Sequence, residues 1–250
     1  MSFIRVMLCV FLAFLFAPRI WPQQHNPQDH DMGSMPGMDM SNTAPEDPKV
    51  AAKRLADKKE SEFNHHLAGF FVICAGLFLL AEKRLEKRWP FVRYAWSACF
   101  LATGIFVLIY SDTEIWPFGP QTPWYAITHN LEVLQHKVFA VILLALGFVE
   151  FRRARGQMRS IWAAWFFPVV GAAGALLLLF HAHSGDMDAP HAMESMEHIQ
   201  KQHRLFAATG LGIAVTNGLA TIPLKLQQVF KMIWPSLLIV LGVLLLLYTE

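Results

Sequence analysis

Six apolar stretches, each close to the roughly 20 residues that a bilayer crossing needs, constrain this chain more than any other feature. They lie near 64–81, 91–110, 128–150, 161–182, 203–223 and 233–248, with short polar turns between them. Residues that could bury both polar backbone groups and apolar side chains in lipid must be helical, because a helix satisfies its own backbone. Composition agrees: 54% of the 250 residues are hydrophobic and 16% are charged, against about 25% charged in soluble domains. The sequence therefore predicts an all-α membrane protein, a bundle of six transmembrane helices over 61–250. Residues 1–17 carry one arginine and a short apolar run, the outline of a secretory signal. Ala17 is followed by Pro18, a poor cleavage site, so 1–21 reads as a signal peptide or an uncleaved N-terminal anchor. Residues 22–60 read as a disordered, Met/His-rich tail on the non-cytoplasmic side.

Basic residues set the expected orientation. Lys83, Arg84, Lys87, Arg88 and Arg93 mark one turn, and Arg152, Arg153, Arg155 and Arg159 a second; Lys225 and Lys231 mark the third. The opposite loops hold no Lys or Arg between 111 and 128, and only Lys201 and Arg204 between 184 and 204. By the positive-inside rule the basic turns face the cytoplasm, and the tail and the C-terminal end face outward. None of the eleven histidines then falls in a cytoplasmic turn. The expected location is a bacterial cytoplasmic membrane, crossed several times.

A weak internal repeat is also present. The third helix opens Gln135-His136-Lys137-Val138-Phe139-Ala140 and the fifth opens Gln202-His203-Arg204-Leu205-Phe206-Ala207. The first opens more loosely as Asn64-His65-His66-Leu67-Ala68-Gly69. The second and sixth end Tyr110-Ser111-Asp112 and Tyr248-Thr249-Glu250. The chain thus reads as three pseudo-repeated helical hairpins, each entered through a histidine.

The tail carries His25, His30, Met32, Met35, Met38 and Met40, set among Gly, Pro and Asp. Thioethers at spacings of two and three can wrap one soft ion without a folded scaffold. Soft sulfur donors favour Cu(I), and imidazole with carboxylate accepts Cu(II). Methionine in place of cysteine suits an oxidising compartment. Copper is accordingly the expected metal.

Further candidate ligands stand at the helix mouths. His129, Glu132 and His136, at offsets of three and seven, share one helical face. Glu62 with His66, Glu132 with His136, and Glu194 with His198 each form an E-x-x-x-H pair. His181 and His183 flank the end of the fourth helix, and His65 and His203 open the first and fifth. Lys137 and Arg204, beside two of these histidines, would repel a cation unless they point away.

The three cysteines, Cys9, Cys74 and Cys99, lie in apolar runs, and no CxxC or CxxCH occurs. Phosphate loops, serine triads and nucleotide fingerprints are absent, so no catalytic residue set is expected. A net charge of +2 gives no reason to expect nucleic acid as a partner. The translocated segment His25–Met40, joined to a histidine-lined helical bundle, resembles bacterial copper resistance membrane proteins of the CopD type. That resemblance implies an inner-membrane protein handling copper together with a periplasmic carrier. Three functions follow as expectations: copper binding or homeostasis at the outer membrane face; a redox protein with b-type haem or a His/carboxylate metal centre; or an accessory subunit in copper-enzyme assembly.

Overall fold

A computed structural model of the protein describes residues 47–180 and 192–250. The leader, the tail ligands His25, His30, Met32, Met35, Met38 and Met40, and the pair His181 and His183 lie outside the described residues. What is described is all-α: α1 (Pro48–Leu85), α2 (Val92–Tyr110), the short α3 (Pro123–His129), α4 (Leu131–Ala154), α5 (Ile161–Leu178), α6 (Ala192–Thr221) and α7 (Gln227–Leu246). Five of these, α1, α2, α4, α5 and α7, are long and apolar enough to cross a membrane. The protein is thus a multi-pass membrane protein, and its flanks agree. Leu77, Ile105, Val141, Val169 and Val240 all stand exposed on these five helices, as lipid-facing side chains do. Charged Glu194, Glu197, Lys201 and Arg204 crowd the first half of α6 and lower its apolar character.

Local signals explain most helix ends. The Asp47 carboxylate caps α1 through the Lys49 N–H (2.8 Å), with Pro48 in the first turn. The Ser160 hydroxyl caps α5 through the Ala163 N–H (3.2 Å). Gly156, at φ 71°, makes the turn between α4 and α5, a conformation that other residues adopt at a cost. The cap at Asp47 starts α1 well ahead of residue 61. Residues 48–60, expected to be disordered tail, are thus helical, with Lys58 reaching Glu62 one turn on (3.9 Å). The expected third helix is also divided. Asn130 takes an extended conformation (φ −126°, ψ 113°), and its side chain accepts from the Glu132 and Val133 N–H groups. A cap at that point ends α3 and begins α4.

The six long helices close into a ring in chain order: α1 packs on α2, α2 on α4, α4 on α5, α5 on α6, α6 on α7, and α7 back on α1. Small residues set how closely neighbours approach. A Cβ on Gly69 would stand 2.7 Å from the Gly242 carbonyl oxygen, so α1 and α7 touch backbone to backbone. At the end of the bundle that carries the basic turns, the ring is filled by aromatics. Trp96, Phe167 and Trp234 meet at centroid distances of 5.6–6.1 Å, and Phe100 adds a fourth ring 5.8 Å from Phe167. The opposite end gathers the histidines.

Candidate functional site

Three helices bring His65, His203 and Tyr248 together at the histidine end. Tyr248, just beyond α7, is fully buried, and its ring stacks on His65 at 3.9 Å. His203, on α6, meets the His65 ring edge-on at 5.8 Å and the Tyr248 ring at the same distance. Phe206, one turn further along α6, closes the group at 5.5 Å from His203 and 6.2 Å from Tyr248.

Both imidazoles are oriented by their own helix. His65 Nδ1 lies 2.8 Å from the Ser61 carbonyl oxygen, and His203 Nδ1 lies 2.9 Å from that of Ile199. A carbonyl only accepts, so each Nδ1 carries the proton, and in the neutral ring Nε2 carries the lone pair. The Nδ1–H bond to backbone is the arrangement that metal-bound histidines commonly show. His66 has the opposite polarity, because its Nε2–H donates to the Tyr248 carbonyl oxygen (3.0 Å).

Carboxylates surround this group. Glu250 accepts from the Ser61 hydroxyl (2.6 Å) and the Tyr248 hydroxyl (2.8 Å), and its own N–H donates to Glu62 (3.2 Å). Burial, together with the neighbouring Glu132 and Glu62, holds the Glu250 carboxyl above the usual range in spite of those hydrogen bonds. Burial and the Glu250 charge likewise push the Tyr248 phenol upward. Asp57, in the extension of α1, is raised by burial and by Glu114, Glu250 and Glu132, against the pull of Lys53.

A second group joins α2 to α4. Asp112 accepts from His136 Nδ1 at 2.8 Å and from the Lys137 ammonium at 2.7 Å, and the Ser111 hydroxyl donates to it as well. Lys137 also donates to the Leu108 carbonyl oxygen (3.0 Å). Burial alone would raise the Asp112 carboxyl. The His136 bond and charge, with the bonds from Lys137 and Ser111, overcome this and hold it below the carboxylate range. The two groups resolve the difficulty posed by the basic neighbours. Lys137 spends its charge on Asp112, and the exposed Arg204 turns to Gln200 (3.0 Å), away from His203.

Several expectations need correcting here. Because the helix breaks at Asn130, His129, Glu132 and His136 do not share one helical face. His129 is exposed, bonds the Tyr125 carbonyl oxygen (2.9 Å) and stacks on the Tyr125 ring. Asp112 is bonded to His136, and the Glu132 charge also reaches Asp57, Tyr248 and Glu250. His198 stays at the surface, its Nε2 3.5 Å from the Thr249 hydroxyl, beside a shallow groove lined by Glu194, Glu197, Lys201 and Glu250. Among the described residues, no three of His, Cys, Asp and Glu stand close enough together to hold a metal ion. Tyr248 and Asp112, the two residues that organise these groups, stand out in the sequence only as shared helix endings. Their signal was present in the shared endings Tyr-Ser-Asp and Tyr-Thr-Glu.

Comparison with protein-family models, with curated proteins and with solved structures finds no match.

Proposed function

We propose that this protein binds copper at the periplasmic face of the bacterial cytoplasmic membrane, in resistance or uptake. The tail ligands His25, His30, Met32, Met35, Met38 and Met40 capture the ion, and His65 with His203 receives it in the bundle. One observation carries the bundle half of this reading. Two imidazoles from different helices are in ring contact at 5.8 Å, each fixed by an Nδ1 bond to its own backbone. Two nitrogen donors walled by Tyr248 and Phe206 suit low-coordinate Cu(I) better than Cu(II), which asks for more ligands in a tetragonal set.

The same reading takes α6 as a sixth crossing, packed between α5 and α7, with the histidine end outward. It also takes the three hairpins as repeats. Matching side-chain amides support this: Asn64 donates to the Ser111 carbonyl oxygen (3.5 Å), Gln135 to that of Phe180 (2.8 Å) and Gln202 to that of Thr249 (2.7 Å). Each amide immediately precedes a histidine, and each acceptor sits at the end of the following long helix. Four residues after those histidines stand Gly69, Ala140 and Ala207, all buried.

A b-type haem held by the same two histidines fits less well, since the porphyrin would have to displace Phe206 and Tyr248 from around His203. A role limited to copper-enzyme assembly has the same ligands and differs in phenotype: deletion would lower oxidase activity and leave copper tolerance unchanged.

The test is the copper content and visible spectrum of detergent-purified protein, with and without residues 22–46. Copper retained by the full chain, reduced on tail removal, with no Soret band, supports the proposal. Copper no higher than in a histidine-free control membrane protein overturns it.

A further inference from the structure

We infer that the segment joining α2 to α4 is an interfacial element, which rests an aromatic face in the lipid headgroup layer at the histidine end of the bundle. The segment packs on the start of α4 through a small core in which its Ile115 and Ala126 are buried together with Val133 of α4. Its backbone is cross-tied: the Trp116 N–H donates to the Gln121 carbonyl oxygen (2.9 Å), and the Gln121 N–H donates to that of Glu114 (3.0 Å). One side leans on the extension of α1, where the Thr113 hydroxyl donates to Glu60 (2.8 Å) and Lys53 approaches Glu114 (3.6 Å).

A segment held this firmly still leaves its largest side chains outside. Trp116 is 71% exposed, Trp124 77% and Tyr125 54%. These residue types have an apolar body and a polar tip, and they concentrate where hydrocarbon meets water. The lipid surface is favoured as occupant by continuity. Trp124 and Tyr125, on α3, are followed across the Asn130 cap by Leu131, Leu134, Val138 and Val141, an exposed apolar stripe at the start of α4. On the α2 side, Phe118 stacks on Tyr110 (5.0 Å), directly above exposed Leu108, Ile109 and Ile105. The exposed aromatics thus stand in the chain between two apolar stripes, that of α2 and that of α4. The stretch 111–128 contains no Lys or Arg, so attachment rests on aromatic burial and not on anionic lipid.

The test places the full chain in phosphatidylcholine nanodiscs, both faces of which are open to solvent. Emission is compared between the wild type and W116F/W124F, so that the difference reports the two loop tryptophans alone. Bromine placed near the headgroup end of the acyl chains should at least halve this difference signal. Bromine near the methyl ends should do much less, and aqueous iodide should do little. Iodide quenching equal to or stronger than shallow-bromine quenching would overturn the inference and leave the face to water or a protein partner. Phe keeps the ring in both variants, and W116F and W124F measured singly give the same readout should the double variant unfold.

Discussion

The His65 imidazole lies on the face of the Tyr248 ring, with centroids 3.9 Å apart and planes 23° from parallel. The contact joins the middle of α1 to the residue just past α7. It therefore closes the ring of helices at the end where the histidines gather. Tyr248 serves this closure three ways: its ring packs on two histidines, its carbonyl accepts from His66, and its hydroxyl donates to Glu250.

Tyr248→Ala and Tyr248→Phe should separate these contributions. Alanine removes a fully buried aromatic and is expected to cost about 3–5 kcal/mol. Phenylalanine keeps the packing and loses one hydrogen bond, about 1 kcal/mol. Thermal unfolding in detergent reads both. Equal losses for the two variants would mean that the hydroxyl, not the ring, holds α1 to α7.

Acid should expose the Asp112 group. Its folded carboxyl titrates below the ordinary value of 3.8, so its stabilisation is complete above that value. It is lost as pH falls through the lower, folded value. Glu250 is raised from 4.5, so its stabilisation is present at low pH and fades as pH rises, the opposite slope. The wild-type profile mixes the two. Subtracting the profile of Asp112→Asn, measured from about pH 5 downward, isolates the first. At neutral pH that variant should lose about 1–3 kcal/mol, because His136 and the half-buried Lys137 lose the carboxylate they share, Lys137 keeping only its bonds to the Leu108 carbonyl and the Ser111 hydroxyl. A variant as stable as the wild type at neutral pH would show that the α2–α4 pair is only a surface contact.

Helix contacts differ in how much room they leave. A Cβ on Gly242 would meet the Ile73 Cγ1 at 2.5 Å, the Gly69 carbonyl oxygen at 2.7 Å and the Ile73 nitrogen at 2.8 Å. Two of those atoms are backbone and cannot rotate aside. Gly242→Ala should therefore cost about 1–3 kcal/mol or more, by forcing α1 and α7 apart. Gly171→Ala is the control, since its Cβ would meet only Phe167, at 4.0 Å. Comparable melting losses for the two would overturn the close-packed seam.

Much of this architecture was legible in the residues, because a span announces itself through the length of an apolar run. The extension of α1 was not, since residues 48–60 are charged and carry no hydropathy signal; only Asp47-Pro48 marks their start. The break at Asn130 was hidden for a different reason. His129, Glu132 and His136 satisfy helical spacing, and spacing alone does not tell one continuous helix from two joined at a cap. The Asp112 bond to His136 was out of local reach, because a whole loop separates the two residues in sequence. The Gly and Ala residues four positions after His65, His136 and His203 were also there in the sequence, and all three are buried.

Copper retained by protein lacking residues 22–46 should depend on His65 and His203 and not on His136. The first two share a ring contact at 5.8 Å in which each Nδ1 is tied to its own backbone. His136 instead gives its Nδ1 bond to Asp112, beside the Lys137 ammonium, where added positive charge is disfavoured. His65→Ala and His203→Ala should each remove the copper that survives tail deletion. His136→Ala should leave its stoichiometry unchanged, while lowering thermal stability through the loss of the Asp112 bond. Plasma emission spectrometry of desalted samples gives the metal count, and a parallel melt shows that the variants are folded. If His136→Ala alone removes the copper, the ion sits between α2 and α4, and the pairing of His65 with His203 is a packing contact.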